Sequence, residues 1–188
     1  MIKIGLTGSI ASGKTTASKI ISRYNGPIFS ADKTVKKLYG QSKFRSVVSK
    51  NFKLNINTNL KLQIKNKIQN NKKVLKKLEE IIHPFVRKEM HNFVKLNKNQ
   101  KILFFEIPLL IESKLMHFFD IIIFIKSKKN LRLRRYKLNG GSEYLFNLLN
   151  EHQLKDVKKT KFCDHIVVNN RSISVLKRKL QNIIKIYA

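Results

Sequence analysis

The chain is short of several residue types, and each shortage excludes a class of protein. It has one cysteine, Cys163, among 188 residues, so an internal disulfide and a thiolate-rich zinc site are excluded. It also lacks a run of about 18 apolar residues, the length that spans a membrane, and its start is too briefly apolar for a signal peptide. We therefore expect a cytoplasmic protein without a membrane partner, in which Cys163 is an inert core residue.

Acidic residues are few as well. Eleven Asp and Glu stand against 40 Lys and Arg, which gives a net charge of +29. Lysine is spread over nearly the whole length among Asn and Ile, residues that share AT-rich codons, so genome composition and selection both stay open as causes. The charge favours encounter with anionic substrates such as nucleotides. A nucleic-acid-binding protein concentrates its cations on one surface with interleaved aromatics, so we do not expect a nucleic-acid partner.

What the chain does contain is an alternation of short apolar runs with helical patterns. An apolar content of 42% suffices for a core, and the length fits a single domain, with or without an insertion. Apolar runs predict strands at 2–6, 27–30, 101–106, 120–125 and 165–168. Helical patterns cover 13–24, 31–39, 128–138, a stretch reaching about 160, and 172–187, and residues 42–99 read as helical throughout with breaks at 55–59 and 70–71. The alternation predicts an α/β fold, a five-stranded parallel sheet with helices on both faces.

Glycine is also scarce, yet three of the seven glycines lie within the stretch GLTGSIASGKTT at residues 5–16. Gly8 to Thr15 fits the pattern G-x-x-x-x-G-K-[ST] between a strand and a helix, the context that a P-loop requires. Glycines let the backbone wrap around phosphate oxygens, and successive N–H groups then point at the anion. Lys14 would reach the β and γ phosphates, and the Thr15 hydroxyl would bind Mg²⁺. The predicted nucleotide-binding residues are Gly8, Ala11, Ser12, Gly13, Lys14, Thr15 and Thr16.

Other P-loop classes need further motifs that this chain lacks. No aspartate begins the D-x-x-G element of a GTPase, and 160–164 is one residue too long for its base-reading element. Motor ATPases and helicases usually carry a strongly acidic Walker B motif after a long apolar strand. Here the predicted third strand ends in Glu106, and no second acidic residue stands beside it. A small-molecule kinase fits the size.

Such a kinase needs a group that orients or deprotonates the accepting hydroxyl, and cations that stabilise the transferring phosphoryl group. Asp32 follows the second strand, at the sheet edge where ligands bind; its position suits a general base and a helix N-cap equally. The cluster of Arg132, Arg134 and Arg135 suits a solvated helix face or a phosphate-binding lid, with Arg134 placed to project toward the sheet edge.

Several pieces together resemble one family, the dephospho-CoA kinases, in order and over nearly the whole chain. They are the P-loop, Ser30-Ala-Asp32, His83-Pro84-Phe-Val-Arg87, Glu106-Ile-Pro108-Leu109-Leu110-Ile-Glu112, and Asp164-His-Ile-Val-Val-Asn169-Asn170. Each later piece is weak alone; for His83-Pro84, a helix break before proline is the structural alternative.

The resemblance implies transfer of the ATP γ-phosphoryl group to the ribose 3′ hydroxyl of dephospho-CoA, giving CoA, with ATP and Mg²⁺ as cofactors. It assigns catalytic roles to Lys14, to Asp32 as the general base, and to Arg134 as a lid arginine on the ATP phosphates. The substrate-binding residues that it implies are Asp32, His83, Arg87, Glu106, Pro108 and Leu109. Partners are then ATP and dephospho-CoA alone, in a monomer or weak oligomer.

The same resemblance divides the chain into a core at about 1–40, 100–135 and 160–188, a helical acceptor-binding insertion at about 41–99, and a lid at about 136–159. The chain departs from the family's usual residues at Ser9, Ser30, Lys36, Ile111 and Leu138. A nucleoside or nucleoside monophosphate kinase of the same fold, and a basic nucleic-acid-binding protein with a nucleotide site, are the alternative functions.

Overall fold

The structure is a computed structural model, and it describes residues 1–187 without the side chains of residues 24, 25, 70 and 72. Its strands form one five-stranded sheet in the order β2-β3-β1-β4-β5, in which every neighbouring pair is parallel. The strands are β1 (Ile2–Gly8), β2 (Ile28–Ser30), β3 (Ile102–Glu106), β4 (Ile121–Lys126) and β5 (His165–Val168). The predicted parallel α/β fold with helices on both faces is confirmed.

The helical segments also follow the sequence pattern. They are α1 (Lys14–Asn25), α2 (Ala31–Leu38), α3 (Ser42–Phe52), α4 (Leu60–Asn70), α5 (Lys72–Leu96), α6 (Lys129–Leu138), α7 (Glu143–His152), α8 (Asp156–Thr160) and α9 (Ile173–Ile184), with a 3₁₀ turn at Met116–Phe118. A helix break at Pro84 is not observed, because α5 continues through this proline.

Both faces of the sheet bury apolar side chains. On one face, Ile4 and Leu6 of β1 belong to an apolar core that contains Ile21 of α1 and Leu180 of α9. On the other face, the Phe105 ring lies 5.9 Å from Phe29, 5.5 Å from Phe118 and 5.4 Å from Phe119, measured between ring centroids. Both faces are thus apolar, which is why the strands read as continuous apolar runs.

The chain divides into two compact units. The first contains residues 1–30 and 97–188 and holds the sheet, and the second contains residues 31–96 and is all helical. In the second unit, Phe44 of α3 packs edge-on against Phe85 of α5, with ring centroids 5.3 Å apart. None of the helices in residues 1–187 combines the length and the apolar character that crossing a bilayer requires.

Candidate active site

The phosphate loop, residues 8–15, joins β1 to α1 and needs its two glycines. Gly8 and Gly13 have φ angles of 151° and 97°, a region that side chains disfavour. A Cβ atom on Gly8 would lie 2.4 Å from the Ile125 carbonyl oxygen, and one on Gly13 would lie 2.3 Å from Asn169 Nδ2. Any larger residue at either position would therefore distort the loop.

Lys14 lies across its own loop. Its Nζ donates hydrogen bonds to the carbonyl oxygens of Gly8 at 2.9 Å and Ser9 at 3.0 Å, and its side chain is buried. A buried ammonium group is costly unless it is hydrogen-bonded, and these two carbonyls satisfy it. The positive charge is thus fixed within the loop itself.

Side chains from later in the chain hold two other carbonyl groups of the loop. Ile10 O accepts from Arg132 Nη1 at 3.2 Å, and Ser12 O accepts from Asn169 Nδ2 at 2.9 Å and from Arg135 Nη1 at 3.4 Å. In a trans peptide the N–H group points away from the C=O group. The N–H groups that follow, those of residues 11 and 13, are therefore directed away from these side chains, as a phosphate cradle requires.

A buried carboxylate lies at the start of α1. Glu106, the last residue of β3, is 3% exposed; its Oε1 accepts from Thr15 Oγ1 at 2.6 Å and its Oε2 from Ser18 Oγ at 3.0 Å. No cationic side chain among the described residues pairs with this carboxylate. The sequence predicted Thr15 as a metal ligand and placed Glu106 on the acceptor side, and the structure brings the two together. A hydroxyl and a carboxylate are oxygen donors of the kind that Mg²⁺ prefers.

The arginine cluster of α6 divides between two faces of the helix. Arg132 and Arg135 contact the phosphate loop, and Arg135 also donates to Ser127 Oγ at 3.1 Å and to Asn169 O at 3.1 Å. Arg134 is exposed and, with Leu138, lines a shallow cavity on the outer face. The arginines beside the loop are thus Arg132 and Arg135. The predicted contact of Arg134 with the ATP phosphates stays a prediction. One residue along a helix turns a side chain by about 100°, and no motif fixed that rotation.

The connection between α7 and α8 also reaches the phosphate loop, which sequence reasoning missed. Gln153 Oε1 accepts from the Ile10 N–H at 2.9 Å, and Asp156 Oδ1 accepts from the Ser9 hydroxyl. These partners lie 143 and 147 residues apart, and no local pattern marks them. The connection between α7 and α8 therefore lies against the phosphate loop.

Pro108 and Leu109, predicted to bind substrate, shape the turn after β3. Pro108 O accepts from Thr7 Oγ1 at 3.2 Å, and Leu109 O accepts from Ser113 Oγ at 2.7 Å. The first bond ties the turn to the end of β1, and the second closes the turn on itself. Binding of substrate by either residue stays a prediction.

The remaining predicted residues belong to the second unit. Asp32 is the second residue of α2, and so lies in its first turn instead of preceding the helix as an N-cap does. His83 and Arg87 are one turn apart on α5. Burial is the main cause that lowers the pKa of His83 below its ordinary value of 6.5; Arg87 lowers it further, while Glu79 and Glu80 oppose the shift. His83 is therefore mostly neutral at pH 7.

Comparisons with known proteins show what this chain is similar to. The family model CoaE, dephospho-CoA kinase, matches residues 2–174. A dephospho-CoA kinase of Bartonella quintana (strain Toulouse) is 32% identical, over 97% of this chain and 96% of its own.

Two solved structures share the fold. One is TT1252 from Thermus thermophilus, with a TM-score of 0.83 and 22% identity over 100% of this chain and 98% of its own. The other is a dephospho-CoA kinase from Campylobacter jejuni, with a TM-score of 0.68 and 24% identity over 97% of this chain and 95% of its own. Because the family model covers nearly the whole chain, the phosphate loop included, the chain belongs to the dephospho-CoA kinase family.

Proposed function

We propose that the phosphate loop holds ATP while Asp32 receives the proton of the ribose 3′ hydroxyl of dephospho-CoA, the acceptor of the γ-phosphoryl group. Membership of the family carries the reaction itself, the ATP-dependent phosphorylation of dephospho-CoA in coenzyme A biosynthesis. The contacts of the phosphate loop support the roles of Lys14, Thr15, Glu106 and Arg135. The roles of Asp32, His83 and Arg87 rest on the resemblance to the family.

The loop binds the triphosphate through its backbone and Lys14. The N–H groups at residues 11 and 13 face away from Arg132, Arg135 and Asn169, and the first turn of α1 has no acidic residue to repel an anion. When a phosphate enters, its oxygens can replace the carbonyl groups of Gly8 and Ser9 as partners of the ammonium group. This exchange keeps Lys14 hydrogen-bonded throughout and brings its charge to the β and γ phosphates.

Thr15 and Glu106 would hold Mg²⁺. Glu106 is a buried carboxylate whose described partners are two hydroxyl groups, so a cation beside Thr15 would balance its charge. Bound there, the ion would neutralise charge on the β and γ phosphates during transfer. Thr15 and Glu106 orient each other through their 2.6 Å hydrogen bond.

Arg135 takes the role that the sequence assigned to Arg134. Its guanidinium group is held at the loop by Ser12 O, Ser127 Oγ and Asn169 O. A fixed, permanently charged group at this position stabilises charge on the transferring phosphoryl group without reorganising.

Asp32 lies in the second unit, which would also bind the acceptor. The carboxylate lies in the first turn of α2, and a carboxylate is the group suited to accept the hydroxyl proton as the bond to phosphorus forms. His83, neutral at pH 7, would contact the acceptor as a hydrogen-bonding partner, and Arg87 as a cation.

This proposal rests on the phosphate loop with its two required glycines, in a chain whose residues 2–174 match the family model. The test is a coupled assay of ADP release, with and without dephospho-CoA, in which we expect release only with the acceptor and CoA as the product. Activity on nucleosides or nucleoside monophosphates, with none on dephospho-CoA, would overturn the proposal.

The variant Asp32→Asn tests the role of Asp32 as the general base without changing the residues that bind ATP. Because asparagine keeps the shape but cannot accept the proton, we expect turnover to fall at least about a hundredfold while ATP binding is unchanged. Full turnover in this variant would remove Asp32 from the reaction.

A further inference from the structure

The second unit contains a basic cavity that no step above uses. It encloses about 350 Å³ and is lined by residues of three helices and their connections, among them Lys36, Tyr39, Arg45, Asn59 and Lys61. Three of these residues are cations, and no acidic residue is among its described lining. With 40 basic residues in the chain, exposed lysines are common; their convergence on one concave surface without a carboxylate is what distinguishes this place.

Two of the lining side chains are held in position. The Arg45 guanidinium group donates to Tyr39 O at 3.5 Å and also to Ile56 O, which leaves further N–H donors on the same group. The Tyr39 ring packs edge-on against Phe44, with ring centroids 5.1 Å apart, and Lys61 Nζ lies 5.1 Å from the Tyr39 ring centroid. Two backbone carbonyl groups thus hold Arg45, and the charge of Lys61 lies over the Tyr39 ring.

In the part of the chain that the structure describes, no carboxylate forms an ion pair with Lys36, Arg45 or Lys61. Like charges in one cavity repel each other, and a bound anion would relieve that repulsion. A phosphate or diphosphate fits best, because both arginine and lysine bind phosphate oxygens through charge-assisted hydrogen bonds.

The cavity also lies next to the proposed catalytic carboxylate along α2. Lys36 follows Asp32 by four residues, so both lie on the same face of the helix, about 6 Å apart along its axis. In dephospho-CoA the 3′ hydroxyl and the 5′ diphosphate are carried by one ribose, a few bonds apart. An acceptor whose hydroxyl lies at Asp32 can therefore extend its diphosphate toward Lys36.

We propose that this cavity binds the diphosphate of the acceptor, with Lys36, Arg45 and Lys61 as its ligands. The inference rests on the proposed function, because it takes the acceptor from that reaction. It gives the second unit a defined task, which is to fix the ribose by its 5′ side so that the 3′ hydroxyl is presented to Asp32.

The test is binding of dephospho-CoA to the full chain without ATP, measured by titration calorimetry. Lys36→Met and Lys61→Met keep most of the side-chain length and remove the charge, and we expect each to raise the dissociation constant about tenfold. The matched control is Lys67→Met, since Lys67 is exposed on the same helix as Lys61 and does not line the cavity. We expect this control to stay within about twofold of the wild type.

The KM for ATP, measured in the same variants, distinguishes the loss of a specific acceptor site from a general effect of the lower positive charge. ATP also carries phosphates, so an unchanged KM for ATP with weakened acceptor binding supports the proposal. Wild-type acceptor binding in both cavity variants, or an equal loss in Lys67→Met, would overturn it. If the wild type does not phosphorylate dephospho-CoA, the proposed function is wrong; if it does while both variants bind the acceptor normally, only this inference is wrong.

Discussion

The ammonium group of Lys159 lies 2.6 Å from Glu112 Oε1, and the lysine side chain is completely buried. The angles are not those of a hydrogen bond, and Glu112 Oε2 has no hydrogen-bond partner among the described residues. Glu112 Oε1 also accepts from the Leu154 N–H at 3.1 Å. Leu154 directly follows Gln153, which bonds to the phosphate loop, so the ion pair anchors the connection between α7 and α8 at the loop.

This pair should show the behaviour of a buried ion pair. In Lys159→Met the carboxylate of Glu112 loses its counter-charge, and we expect the free energy of unfolding to fall by about 3–5 kcal/mol. In the double variant Glu112→Gln/Lys159→Met neither charge remains, and we expect most of the loss to be recovered. Urea denaturation of the wild type, Lys159→Met and the double variant measures both values.

Kinetics of the same proteins test whether the pair positions the connection. If it does, the folded double variant keeps near-normal stability but has a raised KM for ATP, because Gln153 and Asp156 are no longer held against the loop. A double variant with wild-type KM for ATP would show that the pair contributes to stability alone.

Lys14 should be essential for turnover and dispensable for folding. We expect Lys14→Ala to lower kcat by about a hundredfold to a thousandfold, the cost of removing one electrostatic donor to the transition state. Steady-state kinetics measure this loss, and circular dichroism checks the fold. Near-normal turnover in a folded variant would mean that the loop does not act on phosphate.

Arg134 and Arg135 form a matched pair, since they are neighbours on one helix with different surroundings. We expect Arg135→Met to lower kcat/KM for ATP by at least about tenfold, because a charge-assisted contact contributes about 1.5–3 kcal/mol. Arg134→Met should stay within about twofold, as an exposed charge contributes little. A larger loss in Arg134→Met than in Arg135→Met would instead support Arg134, the residue predicted from the sequence.

Cys163 should be unreactive in the folded protein. Burial, with a smaller effect of Asp164, raises the pKa of its thiol to about 12, against the opposing charge of Lys159. The thiolate is the reactive form, so alkylation at pH 8 should be about a thousandfold slower than for a free cysteine. Labelling followed by mass spectrometry measures the rate, and the urea-unfolded chain, which should react at the ordinary rate, is the control.

The same shift has a consequence for stability at high pH. Because the folded thiol has the higher pKa, the unfolded chain ionises first. The associated stability is complete below the thiol's ordinary pKa and decreases as the pH rises from there toward about 12. Cys163→Ala should remove this part of the alkaline loss, and an unchanged slope of stability against pH would contradict the assignment.

The parts of the molecule that the sequence predicted are those encoded locally. Parallel strands buried on both faces read as apolar runs such as Ile121–Lys126, and the phosphate loop is a contiguous motif. The parts that it missed depend on tertiary contact. Asp156 has no feature that distinguishes it from any other surface acid until the fold brings it to Ser9, and Glu106 contacts Thr15 only because β3 lies beside β1.

The helix rotation that separates Arg134 from Arg135 could not be predicted from the sequence either. Neighbouring arginines on a helix are alike in composition and charge, and only the packing of α6 against the core decides which one faces the loop. Oligomeric state, a cytoplasmic location and the predicted domain limits stay predictions.

The bond from Asn169 to Ser12 spans 157 residues, and it has a consequence for how the protein is made. The nucleotide motif leaves the ribosome long before β5, the strand that supports it, because 157 residues separate Ser12 from Asn169. Contacts of such long range form late, after the intervening chain has been ordered. A nascent chain should therefore gain affinity for ATP only once Asn169 has emerged, so that ATP binding reports the arrival of β5 at the sheet.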